Sequence, residues 1–91
     1  DELPLIFTIN EAYPNPFNPV INISYRVNVS KDISINIYDI KGRLVDSLID
    51  EFHISGEYDL IWDAQSASSG IYFIRYDTDS ESFKQKITLI K

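Results

Sequence analysis

The sequence predicts an all-β domain of seven strands, arranged as a sandwich or barrel. Three observations carry this expectation. Apolar and polar residues alternate with a period of two along most of the chain, the pattern of strands with one dry and one wet face. Turn residues punctuate these runs, so that strand starts recur about every 10–12 residues. No segment long enough for a stable helix carries a sustained 3.6-residue stripe.

Taken in order, residues 5–11 are β-branched and aromatic and read as a first strand. In 20–27, Ile21, Ile23, Tyr25 and Val27 alternate with Asn22, Ser24 and Arg26. In 32–39, Ile33, Ile35 and Ile37 alternate with Ser34 and Asn36. Residues 43–50 hold Leu44, Val45, Leu48 and Ile49, a spacing that also suits a helical turn, but the length favours a strand with a bulge. Tyr58, Leu60 and Trp62 give the strand 57–62. Residues 70–77 are apolar on both faces, which predicts a central strand. In 82–90, Phe83, Gln85, Ile87 and Leu89 alternate with Lys84, Lys86 and Thr88. Lys41-Gly42 reads as a hairpin turn in which Gly42 takes positive φ. Residues 66–70 and 77–81 read as loops. Tyr25, Tyr58, Trp62 and Phe73 read as core; the alternation does not decide Tyr72 and Tyr76.

Between the first two strands lies Tyr13-Pro14-Asn15-Pro16-Phe17-Asn18-Pro19. Proline fixes φ and biases its predecessor to extended geometry, and it donates no backbone hydrogen bond. The segment is therefore expected to be stiff and extended, to run along the sandwich edge, and to dock Tyr13 and Phe17 on the rim of the core.

The 91 residues suffice for one domain, and a hydrophobic fraction of 44% is too high for a disordered tail. A net charge of −6 argues against nucleic-acid binding. No apolar run is long enough to insert in a membrane. Without cysteine there are no disulfides, thiolate metal sites or cysteine nucleophiles. His53 has no second histidine to form a metal site and reads as a surface-loop residue. Ser66, Ser68 and Ser69 lie outside any nucleophile elbow and suit a turn. Asp77, Asp79 and Glu81 read as an acidic, solvated hairpin tip, with weak calcium binding as the alternative. No constellation points to an enzyme or to a cofactor. The charge and short edges point to a monomer.

Several pieces taken together are more specific. They are the heptapeptide at 13–19, Tyr38-Asp39-Ile40-Lys41-Gly42-Arg43, Trp62-Asp63, Ser68-Ser69-Gly70-Ile71-Tyr72 and the terminal Lys86 to Lys91. In this order and spacing the chain resembles the C-terminal sorting domain, type A, of the type IX (Por) secretion system of Bacteroidetes and related phyla. The resemblance covers 13–91 and leaves 1–12 as a linker with a possible first strand. It implies an Ig-like seven-stranded sandwich fused behind an N-terminal cargo protein. It further implies recognition in the periplasm by type IX translocon components and passage across the outer membrane to the cell surface or medium. Removal by a sortase-like peptidase, which cuts within 1–12, then follows.

Exposed edge strands offer unpaired backbone groups to a partner. The strand 82–90, with Lys84, Lys86 and Lys91, is accordingly expected to be the surface that the translocon reads. The turn with Asp39, Gly42 and Arg43 has two readings: a structural one, with Arg43 pairing to Asp39, or part of the recognised face. The same fold also serves structural accessory domains, fibronectin-III-like modules and carbohydrate-binding modules of secreted hydrolases, and fold alone does not choose among them.

Overall fold

The computed structural model describes residues 7–91; Leu5 and Ile6 of the expected first strand lie outside the described residues. Seven strands follow one another: β1 (Phe7–Ile9), β2 (Val20–Val27), β3 (Lys31–Asp39), β4 (Leu44–His53), β5 (Gly56–Asp63), β6 (Gly70–Asp77) and β7 (Ser82–Leu89). They form two antiparallel sheets, one ordered β1-β2-β5 and the other β4-β3-β6-β7. β4 pairs with β3, whereas in the constant-type immunoglobulin arrangement the fourth strand joins the sheet of the first, second and fifth. β6, apolar on both faces in sequence, does lie between two neighbours.

The alternation maps onto burial. Ile21, Ile23, Tyr25 and Val27 from β2 meet Ile33, Ile35 and Ile37 from β3, and Ile74, Tyr76, Ile87 and Leu89 complete the core. Each such side chain contributes about 1.5–3 kcal/mol by leaving water. β4 carries the expected bulge: its register with β3 shifts between Ile35 and Asn36 and again between Ile37 and Tyr38. Such irregularities twist an edge strand and disfavour further pairing.

Three expectations are corrected. Phe73 is not core but sits half-buried on the outer face of its sheet, whereas Tyr72 and Tyr76 point inward and are buried. A strand apolar on both faces cannot reveal its inner face by alternation; the pairing Ile37↔Ile74 decides it. His53 is not in a surface loop. β4 runs three residues further than the sequence pattern indicates, and His53, the inward partner of Lys31, is only 4% exposed. Its Nε2 and the Tyr25 hydroxyl share a hydrogen bond of 2.7 Å, and its ring lies 4.3 Å from that of Tyr58. This contact joins β4 of one sheet to β2 and β5 of the other. Finally, the 13–19 segment is not extended. Its Tyr13–Pro14, Asn15–Pro16 and Asn18–Pro19 bonds are cis, and the chain bends at 14–16 and 18–19.

Candidate functional site

Antiparallel pairing brings the sequence motifs to one pole of the sandwich. The start of β2 meets the end of β5 (Val20↔Asp63), the end of β3 meets the start of β4 and of β6 (Tyr38↔Leu44, Asp39↔Tyr72), and the start of β6 meets the end of β7 (Gly70↔Leu89). Phe17 connects the two sheets there: its ring packs 5.8 Å from Trp62, which in turn packs 5.6 Å from Tyr72. Phe7, paired with Val27, lies at the opposite pole.

The heptapeptide is bound along the free side of β7. Even-numbered β7 residues direct their backbone groups away from β6, as the ladder alternation requires. Thr88 N–H donates to Asn15 Oδ1 (3.0 Å) and Asn15 Nδ2 donates to the Lys86 carbonyl (3.3 Å). Phe17 N–H then donates to the Thr88 carbonyl (2.9 Å), and Ile90 N–H to the Phe17 carbonyl (3.0 Å). Pro14, Pro16 and Pro19 have no N–H to give, so the Asn15 amide and the Phe17 backbone do the pairing. Gln85 extends the same contact, accepting from Ala12 N–H (2.7 Å) and donating to the Asn10 carbonyl (3.1 Å). Tyr13, expected on the rim, is 61% exposed, while Phe17 is 2% exposed and belongs to the core itself. The consequence for recognition is direct: from 86 to 90 the edge expected to accept a partner strand is already occupied by the chain's own segment.

The Asp39–Arg43 turn is built as the sequence implies. Gly42 has φ of 82°, in the left-handed region. Asp39 Oδ1 accepts from the N–H groups of Lys41 and Arg43 (both 2.9 Å), and Oδ2 accepts from Arg43 Nε (3.1 Å). The Arg43 N–H, followed by the Lys41 N–H and the Arg43 guanidinium, holds the Asp39 carboxyl below its ordinary range against a smaller opposing effect of burial. The turn is therefore tightest above the usual carboxylate range and loosens as pH falls through the lowered value. Gly42→Ala is expected to destabilise the domain by about 1–2 kcal/mol through backbone strain alone, a loss that a urea titration would register. Open space surrounds the position, so no clash contributes.

The 64–70 loop closes the same pole. The Tyr72 hydroxyl donates to the Ser68 carbonyl (2.5 Å), Ser69 Oγ accepts from Lys91 N–H (3.0 Å), and Lys91 Nζ donates to the Gln65 carbonyl (2.5 Å). Ala64 N–H donates to the Pro19 carbonyl (2.9 Å), tying this loop to the heptapeptide. The three lysines singled out in the sequence are thus divided. Lys91 belongs to the pole, whereas Lys84 and Lys86 project from the outer face of the four-stranded sheet, where the Lys84 amine stands 5.0 Å from the centre of the Phe73 ring. Arg75, on that same face and 5.8 Å from the Tyr38 ring, had no motif to mark it; only the register Asn36–Arg75–Lys84 reveals its place. In the acidic loop, Asp79 pairs with Lys31 (3.0 Å) and Asp77 with Arg75 (3.1 Å).

Compared with known protein families, residues 11–91 match the secretion system C-terminal sorting domain. No curated protein matches the chain.

Proposed function

Because this chain belongs to the family of secretion system C-terminal sorting domains, we propose that its motif pole is the end the export machinery holds, with the parent protein joined at the opposite pole. The family's role is that of a sorting signal for type IX secretion, carried behind an N-terminal cargo that reaches the cell surface or the extracellular space. The domain has no catalytic part in this. It acts as a folded address, recognised by translocon components during periplasmic transit and then cut from its cargo by a sortase-like peptidase.

One observation carries the reading. Segments 13–19, 39–43, 62–70 and 86–91, dispersed in sequence, converge on one pole through Phe17, Trp62 and Tyr72. A spacer or accessory module needs a stable sandwich, but has no need of these separate segments gathered at one end. The peptidase's cut is expected within 1–12; the burial of Phe7 and Ala12, 3% and 1% exposed, favours a position ahead of Phe7.

The test is a fusion of a signal peptide, a fluorescent protein and residues 1–91 in a type IX-competent bacterium. Fluorescence is expected in the medium or on the cell surface, and in the cells when residues 1–91 are omitted. Equal export with and without the domain would identify an accessory module instead. Removing only 82–91 is not a usable control, because it deletes Ile87 and Leu89 from the core and unmakes the fold.

A further inference from the structure

The outer face of the four-stranded sheet carries a surface that the motif pole does not account for. Tyr38, Phe73 and Lys86 lie in one row across β3, β6 and β7, and Asn36, Arg75 and Lys84 in the next. Together with Asp39, Ile40 and Gly42, four of these (Tyr38, Phe73, Arg75 and Lys84) line a shallow depression of about 190 Å³. Ile40 and Leu44, 68% and 59% exposed, stand at this end of the sheet, Leu44 directly opposite Tyr38. The chain as a whole carries −6, yet these two rows hold three cations. Acids on this face begin one row further, at Asp50 and at Asp77, which engages the Arg75 Nε (3.1 Å) and leaves Lys84 and Lys86 as the unpaired cations of these rows among the described residues, and Asp39 at the rim is held by Arg43.

Resting on the sorting reading, we propose that this face docks a protein of the export machinery through a projecting apolar side chain flanked by carboxylates. The apolar side chain seats between Tyr38, Ile40 and Phe73, and the carboxylates meet Lys84, Lys86 and the Arg75 guanidinium. Aromatic residues and arginine around a small depression are the composition of an interface anchor site. The charge selects the partner. A second copy facing this one across a two-fold axis would set Lys84 and Lys86 against their own kind, whereas an acidic surface is attracted to them.

The fluorescent fusion tests this with Phe73→Ser combined with Lys84→Glu. Both positions are on the outer face, so the purified domain is expected to keep its melting transition while export falls at least tenfold. Ile61→Ser, on the outer face of the other sheet and 62% exposed, is expected to leave export unchanged. If the unaltered fusion stays in the cells, the sorting reading fails; if it is exported and the double variant is exported equally, the docking face fails. Should the double variant not fold, Lys84→Glu with Lys86→Glu, both at exposed positions, decides by the same criterion. Co-sedimentation of the purified domain with phosphatidylglycerol vesicles, lost in Lys84→Glu, would assign the face to a lipid surface and overturn the proposal.

Discussion

Phe17→Ala is expected to cost the domain about 3–5 kcal/mol, the range for emptying a buried aromatic site. The residue is 2% exposed, its ring fills the space beside Trp62, and its backbone N–H and carbonyl are both bonded to the β7 edge. The site has little means to collapse. Trp62 is fixed by its Nε1–H bond to Asp46 Oδ2 (3.0 Å) and Phe17 itself is flanked by Pro16 and the Asn18–Pro19 pair. Against a total stability of about 5–15 kcal/mol, the loss is a large share. Urea denaturation followed by tryptophan fluorescence measures it, since Trp62 is the single tryptophan and reports on the very cavity. A change below about 1 kcal/mol would show that the heptapeptide is appended to the sandwich and is not part of it.

Alkaline pH is expected to unfold the domain steeply. Burial, with smaller contributions from Tyr58 and Glu51, raises the Tyr25 hydroxyl far above its ordinary value of 10.0. Burial and then Tyr25 do the same to Tyr76. A group whose folded pKa is raised contributes stability that is fully present below the unfolded value and lost as pH climbs from there toward the folded one. Above pH 10 the unfolded chain releases these two protons and the folded chain keeps them. Stability then falls by about 1.4 kcal/mol per pH unit for each tyrosine, roughly 3 for the pair. Tyr76→Phe is expected to halve the slope. Its hydroxyl has no hydrogen-bond partner among the described residues, so the same change should leave stability at neutral pH nearly untouched or slightly higher. Urea midpoints measured from pH 8 to 11.5 check both statements, and a flat profile over that range would contradict them.

Much of the sandwich was legible because alternation is a direct imprint of one buried face. β2 and β6 begin and end where the pattern does, β3 and β7 differ by one residue at one end, and β5 is one residue longer at each end. What was not legible depended on pairing between distant segments. Phe73 and Tyr72 exchange roles only because β6 registers against Ile37. His53 follows two exposed polar or aromatic neighbours, and nothing local says that the strand continues to it or that Tyr25 waits across the core. The heptapeptide was visible as a motif, but proline content spoke only of stiffness. That Asn15 would serve as a surrogate strand residue for β7, some 70 positions away, required the fold. Likewise the strand 82–90 groups Lys84, Lys86 and Lys91 in sequence, whereas the fold separates Lys91 from the other two and sets Arg75 beside them.

The position of β1 has a mechanical corollary. The cargo tether enters at Phe7, at the pole away from the motif cluster, and β1 lies antiparallel along β2 through the pairs Phe7↔Val27, Thr8↔Arg26 and Ile9↔Tyr25. If the machinery grips the motif pole while a heavy cargo drags behind, tension runs along the strands. The three pairs must then slide past one another together instead of peeling apart singly, with the Phe7 ring as a barb in the core. A domain loaded in shear along its strands is suited to being towed without unravelling.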